Sequence, residues 1–234
     1  MADGIKIAIF GDYNFTYNTH HATNLAIDHS KNLLEVDVSY YWIRIDEAAN
    51  YKEDDIANYD GIWIAPGPYN NEFLLHGVIR KLTHLKIPTL ITGDAYKTFI
   101  EVLINQYNLN PNNEKLISDN LASDNQFEKV IVSPHSKTLE RIYMNQPRTE
   151  LTSSRYALYP QLLTHLHSEW IDIEAINQFE DPEIISLKKH PFCVASMSKP
   201  QICSTREMPH PLVSSFLNLC FQLAISNPDK SKSA

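Results

Sequence analysis

The strongest constraint on this chain is an N-terminal alternation of short β-branched runs with amphipathic stretches. Ile5-Lys6-Ile7-Ala8-Ile9-Phe10 runs into Gly11-Asp12, which reads as a buried parallel strand meeting a turn. From His20 to Leu34 the apolar residues recur at helical spacing, with Asn18 or Thr19 as the cap. Val36 to Ile43 reads as a second strand, its Tyr40-Tyr41-Trp42 suiting a sheet better than a helix. Gly61 to Ala65 reads as a third strand, closed by Pro66-Gly67-Pro68, and Asn71 to Leu82 as an amphipathic helix. Thr89 to Thr92 follows Pro88 as a fourth strand, with Gly93-Asp94 and a helix through Ile104 behind it. This order predicts an α/β fold, an open and mostly parallel sheet with helices on both faces. Ligands of such sheets gather at the carboxyl ends of the strands, so the tips to watch are Asp12-Tyr13, Pro66 to Glu72 and Thr92 to Lys97.

Beyond Asn105 the texture changes. Asn108 to Gln126 is rich in Asn, Asp and Ser and reads as an exposed connection. Short strands are expected over Lys129–Ser133, Glu140–Met144, Trp170–Ile176, Glu183–Leu187 and Phe192–Met197, adding a small antiparallel or mixed β region. The last helix, Pro211 to Ile225, carries Leu212, Val213, Phe216, Leu217, Cys220 and Leu223 on one face and should pack on the sheet. The simplest organisation is one domain over residues 1–225 and a polar tail over 226–234.

Composition serves mainly to exclude. The 234 residues hold 20 Lys and Arg against 28 acids, a formal charge of −8, with no basic block, so nucleic acid is not an expected partner. No apolar run reaches the ~20 residues of a membrane span, and Met-Ala-Asp-Gly-Ile-Lys shows no signal-peptide pattern. Cys193, Cys203 and Cys220 are odd in number and form no CxxC pair, which fits a reduced, cytoplasmic setting. Cys193 and Cys220 are expected in the core and Cys203 in a structural role. No HxH or HExxH spacing supports a metal site, and no cofactor is implied.

The order of landmarks resembles the class I glutamine amidotransferase family, and within it the glutaminase domain of CTP synthase. The resemblance rests on Ile7-Ala8-Ile9-Phe10-Gly11-Asp12-Tyr13, Tyr59-Asp60-Gly61-Ile62-Trp63-Ile64-Ala65-Pro66-Gly67, Ile87-Pro88-Thr89-Leu90, Arg155-Tyr156-Ala157-Leu158 and His190-Pro191-Phe192-Cys193-Val194. It covers nearly the whole chain and is nearer still to stand-alone homologues without the synthetase half. Family enzymes hydrolyse glutamine with a Cys on a strained strand-to-helix turn, a His base and a Glu that orients it. Here the nucleophile position falls on Gly93, or on Thr92 if one residue is deleted nearby. Lys199 stands for the His and Gln201 for the Glu. Pro68 replaces a glycine of the oxyanion loop and has no N–H to offer. The resemblance thus implies the scaffold without the usual glutaminase.

What survives at the strand tips is a set of candidates. His20, Asp94 and Lys199 are the residues for a different chemistry on the same scaffold, such as a C–N hydrolase, transferase or lyase. Arg155 lies where the family holds its substrate's carboxylate, a task its planar guanidinium suits, with Tyr156 beside it. Gly67, His20, Tyr13 and Tyr96 complete the expected ligand contacts, and Tyr69 lies near them. The blander expectation for Asp94 is a helix cap, for Lys97 and Glu101 a solvated i, i+4 pair, for Arg155 a surface salt bridge to one of the many acids, and for Tyr13, Tyr69 and Tyr96 packing at the edge of the core. The predicted ligand is a small carboxylate-bearing molecule or amino acid; the alternative occupant of the old cleft is a protein partner or a second copy of the chain.

Overall fold

The computed structural model describes residues 4–122 and 126–226; most of the expected tail, 227–234, lies outside them. Among the described residues, ten strands and eight helices follow in the order β1 Ile5–Phe10, α1 Asn18–Leu34, β2 Val38–Ile43, α2 Ile45–Asn50, α3 Glu53–Ala57, β3 Gly61–Ile64, α4 Glu72–His84, β4 Thr89–Thr92, α5 Ala95–Gln106, β5 Glu128–Ile131, β6 Ser133–Pro134, α6 Lys137–Ile142, β7 Thr149–Thr152, α7 Pro160–Glu169, β8 Ile171–Ile176, β9 Pro182–Leu187, β10 Cys193–Ser196 and α8 Pro211–Ser226.

Eight strands form the main sheet in the order β2-β1-β3-β4-β10-β9-β8-β6, and β5 pairs with β7 in a small second sheet. The first five of that order run parallel, and β9, β8 and β6 each pair antiparallel with the preceding neighbour. The period-two rule of strands sorts their side chains between two cores. Ile5, Ile7, Ile9, Trp63, Leu90 and Val194 join α1 and α8 on one face. Ala8, Phe10, Ile62, Ile64, Ile91 and Ala195 join α4, α5 and α7 on the other. Both cores are built from residues the sequence places at alternate positions, which is why a near-continuous apolar run forms a strand covered on both faces. Cys193 and Cys220 are buried in these cores as expected.

Some expectations for the second half need correction. Residues 140–144 are not a strand: Ser136 caps α6 by accepting the Leu139 N–H at 3.1 Å, and Leu139 and Tyr143, one turn apart, both point into the core. The run Lys129–Ser133 divides between two sheets, β5 pairing with β7 and β6 with β8. Helix α7 is an element the sequence reading lacks; Pro160 opens it and Leu162 and Leu166 bury one face. The Asn108–Gln126 connection is largely exposed, but Leu116 and Ala122 are drawn into the interior.

Helix α8 is fastened to the sheet by Phe216, which is fully buried and packs edge-on against Trp63 at 6.4 Å between ring centroids, with Phe192 at 5.7 Å. Phe216→Ala leaves a cavity at this junction and should cost about 3–5 kcal/mol. Denaturant unfolding followed by circular dichroism measures it, and a loss below ~1 kcal/mol would show that the junction collapses onto the gap.

Candidate functional site

The turn from β4 into α5 is held open by one residue. Gly93 has φ +63°, a left-handed conformation that side chains disfavour. Its N–H donates to the carbonyls of Ser196 and Ser198 at 3.0 and 3.2 Å, fixing the end of β10 beside the elbow. A Cβ at position 93 would lie 2.7 Å from Lys199 Cε. The lysine chain therefore crosses the volume that an elbow side chain would fill. Thr92, the other candidate for the nucleophile position, is fully buried. Its hydroxyl accepts the Trp63 indole N–H at 3.0 Å and points back to the Ile64 carbonyl.

Lys199 is 4% exposed. Its Nζ donates to Ser153 Oγ at 2.5 Å and stands 3.7 Å from Asp94 Oδ1. Burial holds its ammonium below the ordinary lysine range, while the Asp94 carboxylate pulls the other way. Asp94 occupies the cap position of α5 but makes no side-chain cap bond; its carboxylate turns to the lysine instead. The Asp94 N–H donates to the Pro66 carbonyl at 3.2 Å. The Asp94 N–H is thus engaged, and Pro68 has no N–H to offer.

Asp94, Ser153 and Tyr156 open into a cleft of about 390 Å³ walled by Tyr69, Glu72, Lys97, Thr98, Glu101 and Asn120. Lys97 pairs with Glu101 at 3.4 Å and reaches over the Tyr156 ring at 5.8 Å. Burial, with the nearby acids Asp94, Glu72 and Glu101, pushes the Tyr156 hydroxyl up to about 12. Lys97 and Glu101 are a helix-face pair, as the sequence suggests, and also a wall of the cleft. Glu72 ends a strand-tip segment that the sequence marks, whereas Ser153 and Asn120 were missed: a lone Ser or Asn in a connection carries no spacing signal, and only the tertiary fold brings them in.

Other anticipated contacts lie elsewhere. The Arg155 guanidinium stacks 4.1 Å over the Phe179 ring, stands 3.8 Å from Asp181 and donates to the Leu121 carbonyl at 3.3 Å; it does not line the cleft. Tyr96 is a core residue whose hydroxyl donates to the Pro182 carbonyl at 2.8 Å. His20 is buried and both ring nitrogens are occupied. Nδ1 accepts the Asn14 N–H at 2.9 Å, so Nε2 carries the proton toward the Gly67 carbonyl at 3.1 Å. Desolvation lowers its pKa and keeps it neutral, a clasp between the loops after β1 and β3. Tyr13 packs on Trp42 at 4.8 Å and faces a separate hollow of about 210 Å³ with Asp12, Arg44 and Pro68. Gly67, with φ +83° and a cis bond to Pro68, shapes the loop and contributes its carbonyl to the clasp. Gln201 is buried in the short 3-10 turn Pro200–Cys203, and its side-chain amide has no partner among the described residues.

A thiol does meet a carboxylate that an imidazole also holds, but not in the cleft. His210 Nε2 donates to Glu150 Oε1 at 2.7 Å, Tyr143 donates to the same oxygen at 3.0 Å, and Cys203 lies against this carboxylate. Burial and Glu150 push the thiol up to about 12. His210 Nδ1 accepts the Leu212 N–H at 3.2 Å, so no imidazole nitrogen is free to take the thiol proton. None of the three cysteines lines the cleft. Among the described residues no group of three or more His, Cys, Asp or Glu could hold a metal, and no helix is long and apolar enough to cross a membrane.

Two outcomes test this arrangement. Gly93→Ala should destabilise by about 1–3 kcal/mol through its left-handed backbone and contact with Lys199 Cε and the Pro66 carbonyl, and the lysine's part of that loss should return in Gly93→Ala/Lys199→Ala; strict additivity in a double-mutant cycle would mean the two positions are not in contact. The second concerns Glu183, fully buried in β9, which desolvation pushes up to about 7 although the Asn177 amide favours its charged form. The folded state therefore holds this proton more tightly than the unfolded one, whose value is near 4.5. Stability from this group is present below about pH 4.5, falls as pH rises to about 7 and stays lost above. Glu183→Gln should remove that slope, worth about 3 kcal/mol across the interval, as read from urea midpoints against pH.

No protein-family profile matches this sequence, and no curated protein matches it. Its fold does match solved structures. The glutaminase domain of Trypanosoma brucei CTP synthase, with acivicin bound, superposes with a TM-score of 0.71 at 16% identity over 93% of this chain and 94% of that one. A GMP synthase-like protein of Thermoplasma acidophilum gives 0.61 at 14% over 96% and 98%. A ThuA-like protein of Bacteroides uniformis gives 0.55 at 10% over 92% and 90%. The parallel sheet, its helices and the small antiparallel addition are those of a class I glutamine amidotransferase-like fold.

Proposed function

We propose that this chain is a glutamine amidotransferase-like protein that does not hydrolyse glutamine and uses the cleft beside Gly93 to bind a small amino acid or related carboxylate. The observation that carries the reading is the 2.7 Å approach of Lys199 Cε to the Cβ position of Gly93. An attacking side chain is missing there, and the space for one is filled. Glutaminase chemistry also needs a base with a free lone pair and an oxyanion site. The imidazole nearest the elbow loops, His20, has both nitrogens engaged, and the elbow donors are the Pro66-bound Asp94 N–H and the N–H-less Pro68.

The cleft's charge supports a zwitterion. Asp94 is offset by Lys199 and Glu101 by Lys97, leaving Glu72 on the rim to meet an ammonium. Lys97 takes the carboxylate role that the sequence suggests for Arg155, whose guanidinium is held by Asp181 and Phe179. A second reading, docking of a protein partner over the same end of the sheet, is favoured by Phe15 and Phe73. These are 76% and 85% exposed, in the segments that follow β1 and β3.

Ammonia release from glutamine should equal the enzyme-free blank. In a thermal-shift screen, a fitting amino acid at 100 times its Kd should stabilise the protein by about 2.7 kcal/mol, and Lys97→Ala should lose most of that. Turnover of glutamine, or no shift with any amino acid or small carboxylate, would sink the reading.

A further inference from the structure

Lys199 and Ser153 meet in a geometry that binding alone does not require. Lys199 extends from the end of β10 behind the cleft wall, 4% exposed, its N–H tied to the Leu151 carbonyl at 2.8 Å. Ser153 comes from the end of β7 on the opposite wall and is partly exposed there. Their side chains meet at 2.5 Å. The lysine stem is buried across the elbow, so its amine is presented from a rigid support with little water around it. Asp94, 3.7 Å away, faces the amine from α5. His20 lies on the loop side and is neutral, and the Phe127 ring lies 5.8 Å from Nζ.

We propose that Ser153 and Lys199 form a hydroxyl–amine dyad that hydrolyses a small ester or amide in the cleft, Ser153 Oγ attacking and Lys199 Nζ acting as its base. Serine nucleophiles served by a lysine are one of the recurring solutions to acyl transfer, and they require a desolvated amine. At rest the lysine is the Asp94-paired ammonium; once it has given up a proton to solvent, Oγ bonds to the substrate's acyl carbon while the Oγ proton passes to the Nζ lone pair. The tetrahedral adduct then expels the alcohol or amine, which leaves with the proton returned by Nζ. Water next attacks the acyl-serine, gives one proton to Nζ, and releases the carboxylic acid as the serine oxygen recovers that proton. Asp94 is a positioning residue, steadying the ammonium that exists between these transfers. Lys97 and Asn120 line the same cleft and supply its donors toward a developing oxyanion. The inference rests on the reading that this cleft takes a small carboxylate-type molecule, and extends it from binding to turnover.

A phosphonyl fluoride is the probe. Its phosphorus should bond to Ser153 Oγ with loss of fluoride, seen as one added phosphonyl group by intact mass and located by peptide mapping. Ser153→Ala should take up none. Lys199→Met and Lys199→Arg, checked for folding by circular dichroism, should label at least ~100-fold more slowly, the usual weight of a general base; one folded variant of the two suffices. Asp94→Asn should slow labelling less and shift its pH profile. No adduct on Ser153 in the wild type from neutral to mildly alkaline pH, or undiminished labelling in a folded Lys199 variant, would overturn the dyad. A thermal shift with amino acids that persists while labelling fails would discard the dyad and leave the binding reading standing.

Discussion

The candidate site depends on how the short segment after β10 is clamped. Gly93 donates its N–H to two carbonyls of residues 196–198, and Lys199 donates its own to Leu151 on β7. One side of the segment is thus fastened to the parallel sheet and the other to the small antiparallel pair. This double attachment aims Lys199 across the elbow and brings Ser153 against it. It also joins residues far apart in the chain, 93, 153 and 199, into one contact group. Restoring a side chain at the elbow would displace the lysine, and shortening the lysine would open the elbow. The two positions therefore act as one structural unit.

The same clamp explains the electrostatics. Burying an amine is unfavourable unless it is paired or hydrogen-bonded, and Lys199 has Asp94 and Ser153 within reach. Asp94 is released for this by the absence of a capping bond to α5. Further along α5, Lys97 and Glu101 repeat the pattern. The cleft thus carries two ion pairs and an extra acid on its rim rather than a broad field of one sign.

Much of the fold was legible because burial imposes a period. The runs at Ile5–Phe10, Gly61–Ile64 and Thr89–Thr92 and the apolar face of α8 announce themselves by composition. Residues 137–142 did not, because six residues are too few to separate helical from alternating spacing; the Ser136 cap decided it. In the site, Gly93, Lys199 and Asp94 were reached by their order along a familiar scaffold. Arg155 and Tyr96 were placed by the same reasoning as ligand contacts, and their side chains follow the blander expectations instead, an ion pair with Asp181 and core packing. An adjacent residue can face the opposite way, as Arg155 and Tyr156 do, and a strand-tip tyrosine is drawn inward when a carbonyl such as that of Pro182 can satisfy its hydroxyl.

The sequence by itself determined the parallel sheet and its two apolar faces, since each follows from local composition and short periodicity, while the elbow's Gly93 or Thr92 came only from the resemblance to a known scaffold. The tertiary structure alone decided that Lys199 fills the elbow, that Ser153 is its partner, and that Cys203 and His210 are held out of the cleft. Those contacts join distant segments across 2.5 to 3.7 Å. Hydrogen bonds and close packing act on that scale, and no spacing along a chain records it.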